Sequence, residues 1–341
     1  MDSQKHYSWP SIGQFRQTIR SVTDGARFIG RAEDGSPLFD GTKPLPTLRF
    51  VGTVKLHGTN AAIGFNRELG TTWFQSRERV ITPSSDNMGF ANKFYRADLE
   101  FLRSHFPDGN KIIVFGEWCG QGVQNTVAIG RLSKRFVVFG AKVDDVWQSY
   151  DVVAKIPTNH ELGVYNIYDY HTEEMDIDFG APELSQNKLV ELTTKISDKC
   201  PVAAAMGSEG LGEGIVWRCV VHGWDDPGYS FKVKDERHAK GSGKVKVLAE
   251  IDVQAVENAK EFAALVVTEM RCRQGIDKMR ERGLKIEKAV LGPFLGWVFD
   301  DVIKEEMDIA IESNVDLQKA KGHIGKLARE WFFKNESELV D

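Results

Sequence analysis

Lys55 stands in Val54-Lys55-Leu56-His57-Gly58-Thr59-Asn60, between two β-like runs at 48–54 and 61–65. A lysine held at a strand end by a tight glycine turn is a candidate covalent nucleophile, and an activated amine there would make the chain a nucleotidyltransferase. Lys-x-x-Gly carries little alone, because it recurs at Lys240 and Lys319. Its surroundings must decide. Arg77 and Arg79 close the run Phe74-Gln75-Ser76-Arg77-Glu78-Arg79, and a guanidinium at a strand end suits a phosphate clamp. Glu117 ends the apolar run Val114-Phe115-Gly116-Glu117 and is followed by Gly120 and Gly122. Its carboxylate suits ribose hydroxyls or a metal, and the glycines let a ligand approach the backbone. Glu213 closes a glycine-dense stretch, 207–214, that suits a loop under a nucleotide. Lys232 and Lys234 alternate with Phe231 and Val233, which puts both ammonium groups on one strand face and calls for an anion between them. Taken singly, each segment also fits a bland reading: a surface lysine, a solvated strand end, a hairpin loop, an exposed face.

Competing nucleotide motifs are missing. Lys240-Gly241-Ser242-Gly243-Lys244 lacks the preceding glycine of a phosphate loop, and Val245 stands where Ser or Thr is needed. No G-x-G-x-x-G follows a strand, and neither H-E-x-x-H nor G-x-S-x-G occurs. The net charge of −5 rules out a generally basic nucleic-acid binder, so any such contact must come from a local positive patch. Four cysteines, at 119, 200, 219 and 272, form no C-x-x-C pair. That argues against structural zinc and for a reducing setting. The N-terminus lacks a signal-peptide core and no apolar run reaches membrane-span length. The expectation is a soluble, cytoplasmic protein (host cytoplasm if viral) with no membrane partner.

These residues need a scaffold. Residues 11–24 read as a helix with Ile12, Phe15, Ile19 and Val22 on one side. From 47 to 235 the texture is β-rich, with runs at 72–75, 111–115, 136–143, 214–221 and 229–233, and helical stretches at 92–105 and 185–199. That is an α+β pattern. After Lys246 helical periodicity takes over at 247–282, 294–312 and 315–333, punctuated by Gly283 and Gly292-Pro293, with Val298, Ile303, Ile309 and Trp331 as core candidates. The predicted domains are 1–245 and an all-helical 246–341.

In order, Lys55-Leu56-His57-Gly58-Thr59-Asn60, Phe115-Gly116-Glu117, Phe136-Val137-Val138-Phe139, Glu213-Gly214-Ile215-Val216 and Lys232-Val233-Lys234 resemble motifs I, III, IIIa, IV and V of the covalent nucleotidyltransferases. Lys-x-His-Gly-Thr-Asn and the block Gly116-Glu117-Trp118-Cys119-Gly120-Gln121-Gly122-Val123-Gln124-Asn125 look like the RNA ligase 2 branch, which holds phage double-strand RNA ligases and RNA-editing ligases. The resemblance spans about 48–330. It implies an ATP-grasp-like ligase domain of antiparallel sheets with flanking helices. The implied reaction is ATP-dependent sealing of 3′-OH/5′-phosphate nicks in duplex RNA through lysyl-AMP, by a monomer using Mg²⁺ or Mn²⁺.

The catalytic set it implies is Lys55, Glu117, Glu213, Lys232 and Lys234, with Glu213 on the metal. ATP contacts would come from Val54, Lys55, Gly58, Asn60, Arg77, Glu117, Phe139, Glu213, Lys232 and Lys234. Glu117 would hold the ribose and Phe139 would stack on adenine, with Phe136 as the alternative ring. RNA contacts would come from His57, Thr59, Arg77 and Arg218, and from the basic run 232–246. The lysine pair and the metal are expected to favour a deprotonated Lys55.

Three features depart from the family pattern. Gly140 replaces a frequent Asp, Arg218 replaces a Lys, and about 20 extra residues precede the nucleophile. DNA ligases and mRNA guanylyltransferases normally add a β-barrel after motif V, which the helical texture of 248–341 disfavours. A non-catalytic RNA-binding relative is disfavoured by the joint presence of the five catalytic residues.

Overall fold

The computed structural model describes residues 5–123, 127–235, 259–312, 315 and 317–339. They form two compact units divided after Asp235. The boundary expected at 245/246 lies outside the described residues, as do Gln124, Asn125 and the basic stretch 236–246.

The first unit opens with β1 (Gly13–Gln14), α1 (Phe15–Arg27) and a hairpin of β2 (Phe28–Arg31) and β3 (Pro37–Phe39). Next come β4 (Thr47–Val54), β5 (Thr59–Asn66), β6 (Thr71–Ser76) and β7 (Val80–Ile81). Two short helices, α2 (Phe90–Phe94) and α3 (Glu100–Ser104), lead to β8 (Lys111–Cys119), β9 (Arg135–Val143) and β10 (Val146–Trp147). The unit closes with α4 (Tyr150–Val153), β11 (Val164–Asn166), β12 (Thr172–Asp178), α5 (Gln186–Asp198), α6 (Pro201–Ala205), β13 (Gly214–Cys219) and β14 (Phe231–Lys234).

Two mixed sheets result. The first has the order β1-β14-β13-β4-β12, and the second β10-β9-β8-β5-β6-β7 with β11 on β9. All pairings are antiparallel except β1 with β14 and β11 with β9. The α+β expectation holds. Strand alternation sorts the side chains. Phe50, Ile215, Trp217 and Phe231 bury one face of the first sheet against Leu189, Leu192 and Ile196 of α5. Ile63, Val114, Phe136 and Val138 bury one face of the second against Phe90 and Phe94 of α2 and Leu102 of α3. Burying one large apolar side chain contributes roughly 1.5–3 kcal/mol, so these two cores fix the strands that carry the chemistry.

Some expectations shift. The first helix starts at Phe15, because residues 13 and 14 pair as a strand on β14. The stretch 92–105 divides into α2 and α3. The strand 229–233 begins only at Phe231, since Pro227–Tyr229 forms a 3₁₀ turn.

The second unit is helical in its described residues: α7 (Ala259–Val266), α8 (Glu269–Glu281), α9 (Leu291–Glu312), α10 (Leu317–Lys334) and α11 (Glu336–Leu339). In the described part of 247–282, from Ala259 onward, the helical stretch is divided into α7 and α8. Thr268 breaks it by capping α8, its hydroxyl accepting from Arg271 N at 3.2 Å. Gly283, at φ +74°, ends α8. Gly292-Pro293 does not separate helices but sits inside the first turn of α9, where proline's missing N–H costs nothing. Val298 is buried as expected, whereas Ile303 and Trp331 are half-buried beside buried Val302 and Phe332. The side chain of Ile309 is outside the described set. Among the described residues no helix is long and apolar enough to cross a membrane.

Candidate active site

Lys55 leaves β4 at the point where the chain crosses towards β5. Its backbone N–H donates to Gly214 O at 2.8 Å, which places it next to the first residue of β13. Gly214 is in turn paired with Lys234 of β14, and Val216 with both Thr53 and Lys232. Three adjacent strands therefore bring Lys55, Lys232 and Lys234 to one sheet face, while Phe231 and Ile215 fill the core behind them. The return into β5 is tight. A Cβ on Gly58 would lie 2.3 Å from the Trp118 carbonyl oxygen, so only glycine lets the motif pass over β8.

Glu213 organises the face. It is 3 % exposed, with Oε1 at 2.8 Å from Lys55 Nζ and 3.3 Å from Lys234 Nζ, and Oε2 at 3.1 Å from His57 Nδ1. Burial pushes its carboxyl up, but Lys55, Lys234 and His57 outweigh that and hold it well below the usual carboxylate range. A carboxylate at 2.8 Å favours the ammonium form of Lys55. In this state Lys55 is ion-paired, and the pair must open before its amine can act as a nucleophile. The expectation that Lys232, Lys234 and a metal favour a deprotonated Lys55 placed Glu213 on the metal and not against the amine, where it stands here.

On the second sheet Glu117 is half-exposed on β8, opposite Asn60 and between Phe115 and Cys119 on the same face. Phe139 follows a register shift. Gly116 pairs with Val138 and Phe115 with Gly140, leaving Phe139 as the extra residue of a bulge. The bulge turns its ring off the α2-facing core, and it packs half-buried between two other clusters. Phe136, the alternative stacking ring, is 0 % exposed among Phe90, Phe94 and Trp118 and offers no face to a base. That alternative is wrong.

The remaining expected site residues sit deeper. His57 and Thr59, assigned to later RNA steps, are buried at 7 % and 5 % exposure. Val54 is a core residue of β4. Arg218 is buried on the face of Val216, and its Nη2 donates to Gln148 O. Its Nε and Nη1 are buried and find no acceptor among the described residues. Arg77 donates from Nη1 to Trp9 O and from Nη2 to Ser11 Oγ, each at 2.9 Å.

Sequence reasoning missed the N-terminal residues that Arg77 engages. Tyr7 N–H donates to Gln75 Oε1 at 3.2 Å, and Gln75 Nε2 donates back to Tyr7 O. Trp9 packs on Phe115 and Phe139. The only local signal is aromatic content, Tyr7 and Trp9 in a polar stretch.

Among the described residues no group of three His, Cys, Asp or Glu side chains converges on a metal position. Glu213, a single buried carboxylate between lysines, still fits Mg²⁺ or Mn²⁺. Such ions take one or two protein carboxylates and complete their shell with waters and substrate phosphates.

A two-sheet scaffold thus carries a lysine, two carboxylates and a lysine pair at or near strand ends. Residues 48–234, more than half of the chain, match the RNA ligase family model, and the chain belongs to that family. No curated protein matches it. Among solved structures it is similar to Naegleria gruberi RNA ligase with PPi, at 13 % identity and TM-score 0.42, covering 69 % of this chain and 57 % of that one. A mutant of the same ligase with AMP and Mn gives 14 % identity and TM-score 0.42, covering 68 % and 57 %. The chain thus spans less than three fifths of the length of these structures.

Proposed function

We propose that the protein is an ATP-dependent RNA ligase of the RNA ligase 2 type that seals 3′-OH/5′-phosphate nicks in duplex RNA. The observation that carries this reading is the cluster of Lys55, Lys234 and His57 on the two oxygens of Glu213. Lys55 Nζ attacks the α-phosphorus of ATP, forms the N–P bond and releases pyrophosphate, giving lysyl-AMP after loss of its proton. The RNA 5′-phosphate then displaces Lys55 to give an adenylylated end. Attack by the 3′-OH closes the phosphodiester and releases AMP. Lys232, Lys234 and Arg218 line the face where negative charge builds on the phosphoryl oxygens. Glu117 is at the strand end suited to ribose hydroxyls, and Phe139 offers its ring to the base. Glu213 is the residue that would hold Mg²⁺ or Mn²⁺. That ion would supply positive charge against the phosphate oxygens, while opening of the Lys55–Glu213 pair frees the amine.

Covalent labelling tests the reading. Protein mixed with Mg²⁺ and ATP labelled at the α-phosphate should retain label after denaturation, and Lys55→Ala should retain none. Joining of nicked RNA duplexes over nicked DNA duplexes should follow. Label from GTP instead of ATP would point to a guanylyltransferase. Absence of label, even after pyrophosphate treatment to strip any AMP already bound, would remove the ligase assignment.

A further inference from the structure

We infer that Trp9 is a positioning residue of the nucleotide subsite, and that the segment around it, which precedes the family-matched 48–234, belongs to the active site. The inference rests on the ligase reading. Trp9 is 5 % exposed and touches two residues of the candidate site at once. Its ring lies edge-on to Phe139 at 5.0 Å between centroids, with Phe115 at 5.3 Å and Trp147 at 5.0 Å around it. Its carbonyl oxygen accepts from Arg77, whose other nitrogen is held by Ser11. One residue therefore fixes both the ring offered to the base and the guanidinium suited to a phosphate.

The fit to Gly140 makes the placement specific. A Cβ there would lie 2.3 Å from two ring carbons of Trp9, so the indole occupies the space that a side chain at 140 would need. The bulge that turns Phe139 off the α2-facing core ends at Gly140, and Trp9 packs on that glycine. Beyond Ser11 the chain continues onto the other sheet, where Gly13 pairs with Phe231 and Gln14 with Lys232. The segment thus connects the sheet carrying Phe139 and Glu117 to the strand carrying Lys232 and Lys234. Its attachments to Gln75, Arg77 and β14 set the position of Trp9 from both ends.

The test is the dependence of adenylyl-protein formation on ATP concentration. Trp9→Ala should raise the half-saturating ATP concentration by about tenfold, as loss of an aromatic wall predicts. The maximal rate should stay within about twofold, and Trp9→Phe should recover most of the loss. Gly140→Ala should share the defect, and the double change Trp9→Ala with Gly140→Ala should do no worse than Trp9→Ala alone. A merely structural role would lower the melting temperature and leave the half-saturating concentration unmoved, which would overturn the proposal. So would additive losses in the double variant. Equilibrium ATP binding to Lys55→Ala, with and without Trp9→Ala, separates this inference from the ligase reading. A tenfold loss there supports the role of Trp9 even if no lysyl-AMP forms. Equal binding in the two proteins, or none in either, removes it.

Discussion

Glu213 takes two ammonium groups and an imidazole on its two oxygens while nearly sealed from solvent. A buried charge in that position is tolerable only because it is over-paired. Its carboxyl is held well below the usual carboxylate range, so the native state binds its proton more weakly than the unfolded chain does. The resulting stability is fully present above that range and is lost as pH falls through the native value. Glu213→Gln should therefore melt lower than the parent at pH 7, with the gap narrowing as pH falls from about 5 towards 3. Thermal melts of both proteins across that range check this, and parallel curves would show that Glu213 is not the linked group. The same variant should form lysyl-AMP about 10²-fold more slowly or worse, since the carboxylate that aligns Lys55 is gone.

At the scale of elements, the turn from β4 into β5 is what turns a common tripeptide spacing into a site. Gly58→Ala would drive a methyl carbon against the Trp118 carbonyl and force the turn off β8. The expected outcome is a destabilisation on the order of 2 kcal/mol, read from denaturant midpoints, together with loss of labelling because Lys55 moves with the turn. Unchanged stability would mean the turn relaxes freely. Here the sequence was informative: Lys55, Glu117, Glu213 and the 232/234 pair were each legible at strand ends, because alternation and glycine placement are local signals. Other elements were not. β12 reads Thr-Glu-Glu-Met-Asp-Ile-Asp, and its acidic residues hide an edge strand whose single buried residue is Ile177. The bulge at Phe139 depends on register against β8, which periodicity within one strand does not reveal. The attachment of Tyr7 and Trp9 to Gln75 and Arg77 joins residues 68 apart, beyond any local pattern. Gly140, read as a departure from the family, makes sense only beside Trp9.

At the scale of the whole molecule, each unit has its own core. In the first, the core-facing residues of both sheets are buried by α2, α3 and α5. In the second, Phe262, Ile276, Phe294, Val298, Ile324 and Phe332 close on one another, and Arg271 of α8 is tied to Asp301 and Glu306 of α9 at 2.8 and 3.2 Å. Every residue of the proposed adenylylation site lies in the first unit, from Trp9 to Lys234. Under the proposed function, duplex recognition is assigned to the helical region, as the family resemblance implies. Chemistry on ATP and recognition of the duplex should then be separable by a cut beyond the first unit. Removal of residues 248–341 should leave self-adenylylation within about threefold of the full chain. Sealing of a nicked RNA duplex should fall by about 100-fold or more, the equivalent of losing about 3 kcal/mol of duplex contacts. Both rates, measured on one preparation of 1–247 with its secondary structure verified by circular dichroism, decide the matter. A fragment that still seals nicks at the full rate would return duplex recognition to the first unit and leave the helices a purely structural role. A folded fragment that no longer labels would place part of the adenylylation machinery after residue 247.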